Sequence, residues 1–165
     1  MILKNGRGQL GDELSKHKCD LDWIVYHTWN TVDLENEEIQ NNEFAKFKKF
    51  VDENKDKKIC FVSTTYDKDT VYLYNKIKAE VYLIDNVKDW KIIRLPHFLG
   101  KGLFSAFRDG ELPWDNSLVD VISLENACVE IIKHLCSDKK FVHVPGEFVS
   151  KTMICSLIQY GVKND

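Results

Sequence analysis

Short apolar runs alternate with longer segments of helical periodicity along most of the chain. The pattern predicts strands at Ile2–Leu3, Trp23–His27, Ile59–Val62, Lys91–Leu95, Leu118–Ile122 and Lys140–Val144. It predicts helices at Asp12–His17, Glu37–Glu53, Thr70–Ile84, Leu103–Arg108, Leu124–Leu135 and Phe148–Gln159. Alternating strands and helices are typical of a mostly parallel sheet with helices on both faces, so we expect an α/β fold.

The composition favours one globular domain. The chain has 165 residues, of which 44% are hydrophobic and 30% charged, proportions that are ordinary for a chain with its own core. Because no Pro-, Gly- or Ser-rich linker marks a boundary, we expect residues 1–165 to form a single domain.

Charge and cysteine usage exclude several function classes. The formal net charge of -3 gives no electrostatic reason to expect nucleic acid as a partner. The five cysteines lack a CxxC pair, and the five histidines have no ligand partners at suitable spacing, so we expect no metal. No signal-like or membrane-spanning apolar run is present, which favours a cytoplasmic protein without membrane contact.

The densest polar chemistry follows the third predicted strand. Ser63 and Thr64 come directly after Ile59–Val62, where a buried parallel strand opens into a site. Tyr72 and Lys76 are four residues apart on the next helix and therefore share a face. A nearby ammonium lowers the pKa of a phenol, so a tyrosine in this arrangement can exchange a proton with a substrate hydroxyl or carbonyl. The spacing alone favours chance, because Tyr and Lys occur four residues apart on many amphipathic helices.

A glycine motif joins the first strand to the first helix. Gly6, Gly8 and Gly11 follow the pattern GxGxxG, which permits a tight turn and lets backbone N–H groups approach a pyrophosphate at the helix N-terminus. A glycine turn that binds no ligand is the alternative.

Several segments, in order, resemble the extended short-chain dehydrogenase/reductases that modify nucleotide sugars, and in detail the dTDP-4-dehydrorhamnose reductase-like branch. The stretch after the family's fourth strand, its serine/threonine segment, its YxxxK helix and its later segments all have similar counterparts. The resembling segments are Asn5–Gly11, Tyr26–Asp33, Ser63–Tyr66, Tyr72–Glu80, Ile93–Gly100 and Val119–Ala127.

The resemblance implies a Rossmann-like sheet, an NAD or NADP cofactor and a nucleotide-sugar substrate, as in polysaccharide biosynthesis. It implies that Tyr72 is the general acid/base and that Lys76 lowers the pKa of Tyr72 and holds the nicotinamide ribose. Ser63 or Thr64 would hydrogen-bond the reacting carbonyl. The further cofactor-binding residues that the resemblance implies are Gly6, Arg7, Gly8, Gln9, Leu10, Gly11, Thr28, Trp29, Pro96 and His97.

The chain is shorter than the family pattern. Between Gly11 and Trp23 there is room for one helix, where the family has two further strands that carry the residue gripping the adenosine ribose. We therefore expect a sheet reduced in strand number, with a minimal substrate-side region at about residues 101–165.

Two classes of function stay open. The first is an NAD(P)-dependent enzyme that reduces or epimerises a nucleotide sugar, and the retained hydroxyl, Tyr and Lys residues favour it. The second is a non-catalytic relative that binds nucleotide or serves in assembly, and the missing strands favour it.

Two predicted helices carry more apolar residues than one buried face requires. The resembled family commonly forms dimers through the helices that correspond to Glu37–Glu53 and Thr70–Ile84, so we expect a homodimer. The residues expected to make this contact are Phe44, Phe47, Tyr74 and Ile77.

Overall fold

Strands and helices alternate through the structure, which is a computed structural model describing residues 2–4, 8–17, 21–31, 33–99, 103 and 116–159. In chain order the elements are β1 (Ile2–Lys4), α1 (Gln9–Lys16), β2 (Ile24–Tyr26), α2 (Glu37–Asn54), β3 (Ile59–Thr64), α3 (Val71–Asn86), β4 (Trp90–Leu95), β5 (His97–Leu99), β6 (Leu118–Ser123), α4 (Leu124–Cys136), β7 (Phe141–His143), β8 (Glu147–Ser150) and α5 (Lys151–Gln159).

Two sheets organise these elements. The larger sheet has five strands in the order β1-β2-β3-β4-β7, and all four pairings are parallel. The smaller sheet has the order β5-β6-β8, in which β5 and β6 are parallel and β6 and β8 are antiparallel. The predicted mostly parallel α/β architecture is therefore confirmed.

Strand β3 is buried on both faces of the larger sheet. Because side chains alternate along a strand, Ile59 and Phe61 point to the face covered by α2 and α3. Cys60 and Val62 point to the opposite face, where they join a core that includes Leu14 of α1 and residues of α4. Burial on both sides explains why this strand appears in the sequence as a continuous apolar run.

Polar side chains cap the helices that follow the strands. The Thr70 hydroxyl accepts the N–H of Leu73 at 3.2 Å, so α3 begins directly after Thr70. The Asn36 side chain accepts the N–H of Ile39 at 3.1 Å and starts α2 in the same way. These caps satisfy N–H groups that the first turn of a helix leaves free.

The C-terminal part of the chain differs from the sequence prediction. The helix expected over Phe148–Gln159 begins only at Lys151, because Glu147–Ser150 pairs with β6 as β8. The short strand β5, which follows Pro96 directly, was not predicted at all. Both strands depend on pairing partners elsewhere in the chain. Of the helix expected over residues 103–108, Leu103 alone lies within the described residues.

The prediction that Phe47 contacts a second subunit is wrong. Its side chain is fully buried in the core beneath α2, where its ring centroid lies 4.5 Å from that of Phe61. Phe44 is half-buried, whereas Tyr74 and Ile77 on α3 are exposed. The helical stripe of phenylalanines in α2 therefore serves mainly the interior of this domain. No helix in the described ranges is long and apolar enough to cross a bilayer.

Candidate active site

The carboxyl end of β3 and the first two turns of α3 bring the predicted catalytic side chains together. Tyr72 and Lys76 share the face of α3 that packs on the sheet, and both are buried. The Thr64 hydroxyl, at the last residue of β3, accepts the N–H of Tyr66 at 3.0 Å. Tyr72 and Lys76 therefore lie on the sheet side of α3, beside the end of the central strand.

Burial changes the acidity of Tyr72 in the direction opposite to the sequence expectation. Desolvation raises the pKa of Tyr72 to about 12, although its hydrogen bond with Thr64 lowers that pKa in part. Lys76 does not offset the effect of burial, because its amine lies 5.9 Å from the centroid of the Tyr72 ring and has other partners. The phenol is therefore protonated at neutral pH.

The amine of Lys76 is enclosed by the sheet and by the loop after β2. Nζ donates a hydrogen bond to the backbone oxygen of Val62 at 3.0 Å. It also lies 4.5 Å from the ring centroid of Phe61 and 4.7 Å from that of Trp29, within the range of a cation–π contact. Only 4% of the residue is exposed, and burial lowers the pKa of Lys76 to about 7.

Ser63 differs from its neighbour Thr64. Its side chain is buried, and Oγ has no hydrogen-bond partner among the described residues. Buried hydroxyls without partners are uncommon, so Ser63 holds an unused donor and acceptor at the end of the central strand.

The glycine turn lies partly outside the described residues, which exclude Gly6 and Arg7. Gly8 is the residue before α1, has φ +121°, and shows no atom within 4 Å of the position that a Cβ would occupy. Such a backbone conformation favours glycine. Gly11 is buried in the first turn of α1, and Leu10 directs its side chain into the core, while Gln9 is half-buried.

The other predicted cofactor residues lie at the carboxyl ends of β2 and β4. Thr28 and Trp29 are half-buried in the loop after β2. Pro96 is buried between β4 and β5, whereas His97 is exposed and packs its ring edge-on against Tyr66 at 5.5 Å. Tyr66 in turn contacts Tyr72 edge-on at 6.1 Å, so aromatic rings connect His97 to the phenol.

The sequence prediction missed His27 and Gln40. His27 follows β2, and its buried Nε2 has no hydrogen-bond partner within the described chain. Burial lowers the pKa of His27. Gln40, fully buried in α2, hydrogen-bonds the loop that contains Trp29. The available sequence signal for Gln40 was its position, because it precedes Phe44 by four residues and Phe47 by seven and so shares their face of the helix.

The side chains around this site do not form a metal centre. In the part of the chain that the structure describes, no three His, Cys, Asp or Glu side chains converge as a metal site.

The sequence matches no protein-family model and no curated protein. Solved structures nevertheless share its fold. The enzyme WbmG of Bordetella bronchiseptica, solved with NAD and UDP, matches with a TM-score of 0.62 and 12% identity over 84% of this chain and 56% of that chain. The present chain therefore spans little more than half the length of WbmG.

Two further structures match over more of their own length. The dTDP-4-dehydrorhamnose reductase of Bacillus anthracis, solved with NADP, gives a TM-score of 0.72 at 14% identity over 96% of this chain and 79% of that chain. The UDP-glucose 4-epimerase of Thermus thermophilus, solved with NAD, gives 0.62 at 15% identity over 94% and 68%. The chain thus has the Rossmann-like fold of the extended short-chain dehydrogenase/reductases, and its described residues form fewer strands than that family has, as predicted.

Proposed function

We propose that this protein binds a nicotinamide nucleotide and reduces or epimerises a nucleotide sugar, with Tyr72 as the proton donor and acceptor. The observation that carries the proposal is that Tyr72 and Lys76 are buried on the face of α3 that packs on the sheet, beside Ser63 and Thr64 at the carboxyl end of β3. Ligands of open parallel sheets bind at this edge. The structural neighbours, which are nicotinamide-dependent reductases and epimerases of sugar nucleotides, support it.

The described residues fit part of a dinucleotide. Gly8 leaves the N-terminus of α1 without a side-chain cap, so backbone N–H groups there are available to a pyrophosphate. The unpartnered Nε2 of His27 and Oγ of Ser63 are buried polar atoms near the same edge. The adenosine half fits less well, because β1 is the edge of the described sheet and no further strand flanks it there.

The protonated Tyr72 is suited to donate a proton to a carbonyl oxygen that is being reduced. The cofactor, when bound, would supply or accept the hydride. The Thr64 hydroxyl orients the phenol, and Ser63 offers a hydrogen bond to the same substrate oxygen. Donation leaves Tyr72 as a phenolate, which a charged Lys76 would stabilise, and in the reverse direction this phenolate accepts the proton of the substrate hydroxyl.

A second function is a nucleotide-binding or assembly protein without turnover. It is favoured by one observation: the amine of Lys76 is covered by Trp29 and Phe61 instead of being open to a ligand. A covered amine is consistent with a lysine that serves packing alone.

Isothermal titration with NADH, NADPH and UDP- and dTDP-sugars distinguishes the two. Binding of one dinucleotide and one nucleotide sugar, followed by turnover when both are present, supports the enzyme. Binding without turnover supports the second function. A lack of binding by any of these ligands would remove the enzyme proposal.

We also propose that the chain forms a homodimer through α2 and α3. The outer face of α3 carries Tyr74, Ile77 and Val81 at helical spacing. Their exposed fractions are 60%, 42% and 51%, respectively. With Phe44 and Tyr82 they line a shallow apolar groove between the two helices. A second copy would bury this face, and its two-fold axis would bring the two grooves together.

A further inference from the structure

The loop after β2 covers one side of the Lys76 amine with the side chain of Trp29. Phe61, on the other side, belongs to β3 and is fully buried, so its ring is held in place by the sheet. Trp29 lies in the loop between β2 and α2 and is half-buried. Side chains on loops move more readily than those on central strands, so Trp29 is the movable part of the enclosure.

Gln40 holds Trp29 in this position. The indole Nε1 donates a hydrogen bond to Oε1 of Gln40 at 2.9 Å. The amide nitrogen of Gln40 donates to the backbone oxygens of Asn30 at 3.2 Å and Asp33 at 2.9 Å. Gln40 is fully buried, so these bonds are shielded from water and all of them engage the loop after β2.

Glu43, one turn further along α2, adds a second attachment. Its Oε2 accepts the backbone N–H of Asn30 at 3.3 Å, and its Oε1 pairs with Lys46 at 2.6 Å. Residues three apart on a helix lie on one face, so Gln40 and Glu43 together present a polar surface to the loop. Helix α2 thus fixes the loop, and the loop positions the indole.

We propose that Trp29 covers the amine of Lys76 and that its hydrogen bond to Gln40, called the latch below, holds it in place. A ligand then reaches the amine only after the indole moves aside. The inference rests on the proposed function in taking Lys76 as the group that such a ligand must reach. An ammonium has three N–H donors, and the Val62 oxygen accepts one of them. Displacing the indole would free the other donors for hydroxyl oxygens of a bound nucleotide.

The latch is tested by the rate at which acetic anhydride acetylates Lys76 in the folded protein, read by mass spectrometry of its peptide. Lys91 is an internal control in every sample. It is 5% exposed, and its amine donates to the backbone oxygens of His134 and Ser137, away from Trp29. A general opening of the fold would increase the labelling of both lysines.

In Trp29→Ala and Gln40→Leu we expect Lys76 to react at least about tenfold faster, because the loss of even one buried hydrogen bond shifts an opening equilibrium by about this factor. Lys91 should keep its rate. Unchanged labelling of Lys76 in Trp29→Ala, or an equal increase at Lys91, would overturn the proposal.

Trp29→Phe keeps a smaller aromatic ring beside the amine and removes the N–H that donates to Gln40, so it tests the latch even where the alanine variant does not fold. We expect a smaller but measurable increase at Lys76, and no increase would refute the latch. Trp23→Phe is the matched control, because the Trp23 ring lies 5.3 Å from the amine of Lys91. It should leave the Lys76 rate unchanged.

Adding NADH to Gln40→Leu, which keeps the Trp29 side chain, separates this inference from the proposed function. Renewed protection of Lys76 supports both. If NADH gives no protection while the labelling pattern of the variants holds, the proposed function fails and the latch stands.

Discussion

Arg94 of β4 donates two parallel hydrogen bonds to the carboxylate of Glu80 on α3. Nε of Arg94 donates to Oε1 at 2.9 Å, and Nη2 donates to Oε2 at 2.6 Å. The Glu80 side chain is 7% exposed, whereas that of Arg94 is 32% exposed and packs against the ring of Phe141. This bidentate pair attaches the helix that carries Tyr72 and Lys76 to the neighbouring strand.

The two members of this pair should differ in their effect on stability. Arg94→Leu leaves a buried carboxylate without its partner, so we expect it to lower the free energy of unfolding by about 3 kcal/mol. Glu80→Leu should lower it by less, because the more exposed guanidinium can reach water. Urea denaturation of both variants and of the double variant measures this, and equal losses in the two single variants would contradict the expected asymmetry.

Gly146 should not tolerate a side chain. A Cβ at this position would lie 2.1 Å from Oδ1 of Asp120 and 2.7 Å from Cγ of Pro96. We expect Gly146→Ala to destabilise the fold by about 2 kcal/mol, as overpacking does, and to lower the midpoint of thermal unfolding. Asp120→Ala in the same chain removes the nearest atom and should recover part of the loss. A fully stable Gly146→Ala variant would show that the loop before β8 relaxes freely.

Lys76→Met should stabilise the protein, and more so at low pH. The pKa of Lys76 falls from 10.5 to about 7 on folding, so the unfolded chain binds more protons between these values. The stability of the wild type therefore rises with pH across this window and is lowest, for this group, below pH 7. We expect the advantage of the variant to reach about 2–4 kcal/mol at pH 6 and to shrink toward pH 10.

Chemical denaturation at pH 6 and pH 9 measures this difference. Lys88→Met is the matched control, because Lys88 is exposed and its removal should change stability little at either pH. An advantage of Lys76→Met that did not vary with pH would mean that the amine is not desolvated as described.

Tyr72→Phe should abolish turnover while leaving the fold intact. The substitution deletes the hydroxyl that exchanges the proton and keeps the buried ring, so we expect a loss of about 10²–10⁴-fold in kcat. The assay follows nicotinamide absorbance with the nucleotide sugar that binds in titration, and circular dichroism checks the fold. Tyr66→Phe is the control, since Tyr66 contacts Tyr72 only through its ring. Wild-type turnover in Tyr72→Phe would rule out the acid/base role.

Ile77→Glu should separate the proposed homodimer. Ile77 lies in the middle of the exposed apolar stripe of α3, and a buried carboxylate there would be strongly unfavourable. Light scattering should give twice the mass of 19.2 kDa for the wild type and the single mass for the variant. Val129→Glu on α4 is the control, because Val129 is exposed on another helix. A wild type of single mass at high micromolar concentration would disprove the dimer.

Local patterns were sufficient to predict the parallel α/β architecture and the shared helix face of Tyr72 and Lys76. The alternation of apolar runs and amphipathic helices predicted the parallel sheet, since each run reports burial within its own segment. The spacing of Tyr72 and Lys76 predicted their shared face, because helical geometry depends on neighbours in the sequence.

The tertiary structure decided the properties that depend on distant segments. Strand β8 exists because β6 pairs with it, and Phe47 is buried because α2 packs on β3. The pKa of Tyr72 followed burial instead of the charge of Lys76, whose amine is engaged by Val62, Phe61 and Trp29. Desolvation is set by all the atoms around a group, and here those atoms come from a strand and a loop that helical spacing does not reveal.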